Sequence, residues 1–156
     1  LHNPPIARVT SQGGSQTIPT GAGTWTSINW TTSGKTVDNY GGWNSATPSR
    51  YTAQRAGLYL VAGLASTPDP TTNSGYRAVR LLQTFAAGGS QAYAGWTCLP
   101  MTSGTTGSAI YAVGLLRMAA GDYVETQMSH TQIGANLSVN TGAGNCSRMI
   151  AVWMAK

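Results

Sequence analysis

The chain has 156 residues, enough for one domain whose core needs neither a metal nor a disulfide. Only 8% of the residues are charged, well below the share in an average globular protein, and Gly, Ser and Thr fill the polar positions instead. The net charge of +5 comes from nine Lys and Arg that form no basic run, which argues against nucleic acid as a partner. The sequence has no membrane-length apolar run and no basic-then-apolar leader, so we expect neither membrane insertion nor a signal peptide.

Short runs of β-forming residues alternate with Gly, Pro, Asn and Ser along the whole chain, which is typical of all-β folds. Residues 1–5 are predicted to be an extended lead-in, because adjacent prolines block a helix, and one domain follows over residues 6–156. Residues 76–85 also show helical spacing, but their neighbours favour a strand. About ten strands predict a two-sheet antiparallel sandwich or a barrel. In chain order they cover residues 6–10, 16–19, 24–32, a short polar strand before the Ala56–Gly57 turn, 58–65, 76–85, 91–99, 109–118, 123–131, 136–140 and 149–154.

Three of these strands are apolar on both faces: residues 58–65, 109–116 and 149–154. An antiparallel sandwich normally leaves one face of each sheet in water. A sheet with two apolar faces needs a second cover, and the simplest cover is another copy of the same chain. The sequence therefore predicts self-association through one sheet.

Chemistry-bearing residues are few. The acids are Asp38, Asp69, Asp122 and Glu125; the first two lie in loops and could converge as a glycosidase pair, whereas Asp122 sits in a turn that it is expected to cap. Four acids are too few to make a calcium site credible, and two cysteines with two distant histidines have no zinc spacing. We expect no enzyme, no cofactor and no metal. Two readings of the cysteines stay open, namely free thiols or a disulfide between Cys98 and Cys146.

Two segments resemble the C1q/TNF-like jelly-roll superfamily. The first is Y-T-A-Q-R-A-G-L-Y-L-V-A-G at 51–63, and the second is L-R-M-A-A-G-D-Y-V-E at 116–125. The closing S-R-M-I-A-V-W-M, at 147–154, stands where that superfamily has its terminal apolar strand. The resemblance implies a ten-stranded, two-sheet jelly roll that forms compact trimers around a three-fold axis.

Further motifs resemble a group of tailed-phage virion domains that are common in phages of actinobacteria. They are A-R-V, Q-T-I-P, W-x-x-x-x-P-S-R-Y-T-A, G-Y-R-x-x-R-L and the closing apolar-V-W-apolar, and together they cover residues 7–154 in order. Animal C1q domains have more Phe and often calcium-binding acids, so neither calcium nor complement-type partners are carried over. The resemblance implies a virion protein that contacts other virion proteins and a glycan or protein of the host surface.

These observations together predict a homotrimeric receptor-binding domain of a tail fibre or baseplate. The alternatives are a head-fibre or capsid decoration protein with a purely structural role and a surface polysaccharide depolymerase. Expected ligand-binding residues are Tyr40, Trp43, Tyr76 and Trp96, each of which could instead serve packing. Expected residues at the trimer axis are Tyr59, Val61, Tyr111, Val113, Ile150 and Val152, although the alternate residues on the same strands stay open.

Overall fold

The computed structural model describes residues 3–14, 16–68, 75–88, 91–100, 108–131, 136–142, 144 and 146–156, without the side chain of Ala92. In these ranges the regular structure is all β and antiparallel, in twelve strands. They are β1 (Ile6–Thr10), β2 (Thr17–Ile18), β3 (Thr26–Ser27), β4 (Val37–Asp38), β5 (Arg50–Thr52), β6 (Gly57–Thr67), β7 (Tyr76–Thr84), β8 (Ala92–Pro100), β9 (Ser108–Met118), β10 (Tyr123–His130), β11 (Leu137–Ser138) and β12 (Arg148–Ala155).

The strands form two main sheets. One has five strands in the order β4-β1-β12-β6-β9. The other has the order β3-β10-β7-β8, and β5 joins β10 on the same edge as β3. A small pair, β11 with β2, completes the described sheets. Most neighbours in the two sheets are not consecutive in the chain, with β7 and β8 as the exception, and this order is that of a jelly roll, which confirms the predicted fold class.

The core fills the space between the two sheets. Strand alternation sends every second side chain inward, so Tyr59 and Val61 from β6 meet Val79 and Leu81 from β7, all fully buried. Trp30 lies in the same cluster and closes it from the loop that follows β3. The aromatic and aliphatic residues of the two sheets thus form one continuous core.

Most predicted strands occur where the sequence placed them, including β7, whose helical spacing was the main ambiguity. Residues 24–32 differ most, because only Thr26–Ser27 pairs as a strand. The Asn29 N–H donates to the Gln16 side chain at 2.8 Å, and the Trp30 N–H donates to the Pro48 carbonyl at 3.0 Å. These partners take the backbone groups that a longer strand would have used. The strand predicted over residues 136–140 is reduced to Leu137–Ser138, and β4 lies in a stretch that was predicted to be irregular.

No disulfide joins the two cysteines in the structure. Cys98 lies on β8 in the sheet β3-β10-β7-β8, whereas Cys146 is buried just before β12, which belongs to the sheet β4-β1-β12-β6-β9. The alternative of a disulfide between them is therefore wrong, and the thiol reading is the correct one.

Candidate functional site

The sheet β4-β1-β12-β6-β9 has an outward face that is apolar and open along β6, β9 and β12. Because side chains alternate along a strand, the residues that follow the buried ones on β6, β9 and β12 point away from the core. Tyr111 and Leu115 are 62% and 63% exposed, and the following set shares the same face: Leu58, Leu60, Ala62, Leu64, Val113, Ile150, Val152 and Met154. We call this surface the apolar face.

Strand register makes the apolar face continuous. Leu60 lies opposite Val152 on one side and opposite Leu115 on the other. One step along β6, Ala62 lies likewise between Ile150 and Val113. Directly opposed side chains in an antiparallel pair are in contact distance, so these rows form one apolar surface across three strands.

The residues expected at the trimer axis divide between the two sides of this sheet. Tyr111 and Val113 lie exposed on the apolar face, and Ile150 and Val152 lie half-buried on it. Tyr59 and Val61 do not, because they point inward and are fully buried in the protomer core. The β6 side chains that point outward are the alternate ones, of which Leu60 is the most exposed.

The outer face of the other sheet carries a second open surface. Four residues lie there, and we call them the aromatic platform: Trp25 just before β3, Arg80 on β7, and Tyr93 and Trp96 on β8. Strand β10 lies between β3 and β7. Tyr93 and Trp96 are 62% and 63% exposed, which is unusual for side chains of this size. The sequence identified Trp96 but not the other three.

Arg80 is fixed at the centre of the aromatic platform. Its guanidinium carbon lies 4.1 Å from the ring centre of Trp25 and 4.3 Å from that of Tyr93, so two aromatic rings flank it. Its Nε donates to Gln127 Oε1 at 2.8 Å, and Gln127 Nε2 donates in turn to Ser27 Oγ at 3.1 Å. Burial between the rings lowers the pKa of Arg80 from its ordinary value, yet a guanidinium stays charged at neutral pH.

A bulge at Gly95 brings Tyr93 and Trp96 to the same side. Three positions apart on a regular strand, their side chains would point to opposite faces. The register of β7 with β8 shifts between Arg80 and Leu82, and Gly95 has φ of +80°, a conformation that favours glycine. A Cβ at this position would also lie 2.5 Å from the Val113 carbonyl oxygen of β9. The β-bulge at Gly95 therefore places Tyr93 and Trp96 on the same face of the sheet.

Of the other expected ligand-binding residues, Tyr76 lies on the same outer face as the aromatic platform and Tyr40 does not. Tyr76 begins β7 four positions before Arg80, so it shares the outer face, where it is half-buried. Tyr40 is exposed elsewhere, just after β4, and its hydroxyl donates to the Asn3 carbonyl at 2.9 Å.

Trp43 is a core residue. It is only 4% exposed, and its indole N–H donates to the Pro48 carbonyl at 2.9 Å. The expectation that Trp43 is exposed to a ligand is wrong. The long loop before β5 folds inward because this large ring closes the core, and the ring's one polar group finds a backbone partner there.

Three of the four acids have structural partners. Asp38 accepts from the backbone N–H groups of Gly42 and Trp43 at 2.9 and 3.1 Å. Asp122 accepts from two backbone N–H groups at 2.8 and 2.9 Å, as expected for a turn cap. Glu125 accepts from the Ser49 hydroxyl at 2.5 Å. Asp69, the other half of the possible catalytic pair, lies outside the described residues.

Ligand groups for metals are also dispersed. Across the described ranges, no three His, Cys, Asp or Glu side chains come together as a metal site. In the same ranges no helix is long and apolar enough to cross a bilayer. The chemistry that the described surfaces do offer is therefore stacking on aromatic rings, donation from a guanidinium and an amide, and apolar contact.

The two-sheet architecture is that of the C1q/TNF-like jelly rolls. Crystal structures of murine APRIL at pH 5.0 and at pH 8.0 each match with a TM-score of 0.70 at 10% sequence identity. A third, at pH 8.5, matches with a TM-score of 0.68 at 11% identity, and all three alignments cover 97% of this chain and 100% of the other. No family model and no curated protein matches the sequence. At this identity the similarity establishes the fold alone.

Proposed function

We propose that this chain is the homotrimeric receptor-binding domain of a tailed-phage tail fibre or baseplate, and that it recognises glycans of the host surface. The apolar face is the observation that carries the proposal. A protein that stayed a monomer would expose leucine, valine, tyrosine and methionine side chains on three adjacent strands. Apolar surfaces of this kind mark sites of protein association.

Three-fold assembly is the arrangement that the C1q/TNF-like resemblance implies for such a sheet. The fold similarity supports the same arrangement, because the strands that carry the apolar face, β12, β6 and β9, are adjacent in one sheet of the jelly roll. In a closed ring, each copy covers apolar surface of its neighbours and none remains at an open end. The sheet that carries the aromatic platform then stays open to solvent.

The aromatic platform supports a glycan as the ligand. Sugar rings present C–H faces that pack on aromatic side chains, and their hydroxyls need donors and acceptors at fixed positions. Trp96 and Tyr93 offer the aromatic faces, while Arg80 offers a guanidinium that the buried Gln127 holds in place. A trimer would carry three copies of this surface, so weak single contacts would add up through multivalency.

Assignment to a phage virion rests on the ordered motifs over residues 7–154, from A-R-V to the closing apolar-V-W-apolar. The corresponding experiment measures binding of the purified protein to host cells and its ability to block infection. We expect Trp96→Ala and Tyr93→Ala to lose binding while remaining folded trimers. Tyr40→Ala is the matched control, because it removes an exposed tyrosine far from the aromatic platform.

Two results would redirect the proposal. Absence of host binding, with the protein located on the capsid, would indicate a decoration or head-fibre role. Turnover of host polysaccharide that is lost on Asp38→Asn or Asp69→Asn would indicate a depolymerase instead.

A further inference from the structure

A cavity of about 570 Å³ opens at the end of the sandwich where β6 begins and β9 and β12 end. Arg55, Arg117 and Lys156 surround it, and Gly57 and Met118 form part of its floor. We call it the basal pocket. It is remote in the fold from the aromatic platform, which lies on the outer face of the other sheet.

The floor of the basal pocket is tightly built. Gly57 has φ of +154°, and a Cβ on it would collide with the Trp153 indole nitrogen and the Ala155 carbonyl oxygen. The indole N–H of Trp153 donates to the Ala56 carbonyl at 3.2 Å. Only glycine lets β6 start this close to the end of β12, so the shape of the cavity is fixed by backbone packing.

No Asp or Glu is among the residues that line the basal pocket, and the carboxylate of Asp122, which accepts from the backbone N–H of the lining residue Ala119, is buried. The Arg55 guanidinium carbon lies 5.3 Å from the ring centre of Trp153, which holds that side chain beside the cavity. Among the described residues the one ion pair is Arg50 with Glu125, and Asp38 and Asp122 are bonded to backbone N–H groups. Three cationic residues line this one cavity, and together they create a local field that attracts anions.

We propose that the basal pocket binds a compact organic phosphate of the sugar-phosphate class. Two guanidinium forks match the oxygens of a phosphate in bidentate fashion, and the ammonium of Lys156 adds a point charge. Ala56 and Ala119, which are exposed in the lining, supply apolar surface for the sugar body. A cavity of about 570 Å³ lies in the range of small-molecule sites and has room for one such ligand.

The experiment is calorimetric titration of the full chain with glucose 6-phosphate, with glucose and inorganic phosphate as comparison ligands. We expect saturable binding of glucose 6-phosphate, weaker binding of inorganic phosphate and none of glucose. Arg117→Gln and Lys156→Gln together should weaken binding at least about tenfold, as expected for lost charge-assisted contacts. Arg8→Gln is the matched control, since Arg8 is an exposed arginine on β1, away from the cavity.

Several results would overturn the proposal. Glucose 6-phosphate that fails to bind, or that binds Arg8→Gln and the double variant equally weakly, would show that the basal pocket is not the site. Inorganic phosphate that binds as tightly as glucose 6-phosphate would show that the apolar lining takes no sugar body.

The same phosphate chemistry could come from a free metabolite or from a phosphate-bearing polymer of the host surface, and the second source rests on the proposed function. Poly(glycerol phosphate) that displaces glucose 6-phosphate from the protein would identify the polymer, and a polymer that fails to compete would identify the free ligand. Both results come from competition for the basal pocket, so neither depends on binding of the protein to host cells. Loss of the phosphate site would leave the aromatic platform, which lies on the other sheet, unaffected, so phosphate binding and host binding through that platform fail separately.

Discussion

Substitution of Leu115 by serine tests the apolar face at its most exposed leucine. Complete burial of a leucine side chain stabilises by about 1.5–3 kcal/mol. Because Leu115 is 63% exposed in the protomer, covering it on assembly would contribute roughly 1–2 kcal/mol per copy and roughly 3–6 kcal/mol per trimer. Since every 1.4 kcal/mol is a factor of about ten, Leu115→Ser should weaken trimer association by roughly 10²- to 10⁴-fold.

Sedimentation velocity and light scattering over a range of concentrations measure this effect. Wild type should give three times the subunit mass of 16.2 kDa, and Leu115→Ser should dissociate to single subunits at micromolar concentration. The protomer should keep its fold, because an exposed substitution changes the free energy of unfolding by only about 0.5 kcal/mol. Tyr93→Ser is the control, since Tyr93 is equally exposed but lies on the other sheet. A monomeric wild type, or a variant that associates as tightly as wild type, would refute the reasoning.

Three other variants probe the protomer itself. Burial lowers the pKa of His130 from its ordinary value of 6.5, while its Nε2 donates to the Ile18 carbonyl at 2.8 Å. As the pH falls, the His130 imidazole is therefore protonated first in the unfolded chain, so the free energy of unfolding should fall below about pH 6.5. His130→Gln should reduce this pH dependence, which urea titrations at pH 5 to 8 measure. Asp122→Ala leaves two backbone N–H groups without their acceptor and should cost about 2–4 kcal/mol in urea unfolding, whereas an unchanged midpoint would contradict the capping role. Gly95→Ala should cost about 1–3 kcal/mol because of its positive φ and the contact with Val113, and its melting temperature should fall accordingly.

Much of the fold follows from local sequence patterns. The long apolar runs of β6, β9 and β12 predict buried strands, and the turn residues between them predict where those strands end. The sequence also predicts that β6, β9 and β12 are apolar on both faces, and the exposed leucines Leu60 and Leu115 confirm it. The direction in which each side chain points is not readable, because alternation fixes only that neighbours differ. This is why Tyr59 and Val61 were placed on the wrong side of the sheet.

The candidate sites depend on features that sequence patterns record poorly. Trp43 and Trp96 both stand in Gly-rich surroundings, yet one closes the core and the other is exposed. What separates them is tertiary: a backbone carbonyl lies within reach of the Trp43 indole, while Trp96 sits on the outer face of an edge strand. A glycine inside the predicted strand over residues 91–99 was the available signal of a bulge. It could have suggested that Tyr93 joins Trp96.

That bulge also connects the two open surfaces. The absence of a side chain at Gly95 lets β8 approach the backbone of Val113, whose own side chain lies on the apolar face. The strand that carries Tyr93 and Trp96 therefore packs directly against the strand that carries Tyr111 and Leu115. An edge strand on its own opens easily, because one of its sides lacks a hydrogen-bonded neighbour. If association holds β9 in place, it restrains β8 through this contact, so trimer formation would order the aromatic platform as well as multiply it.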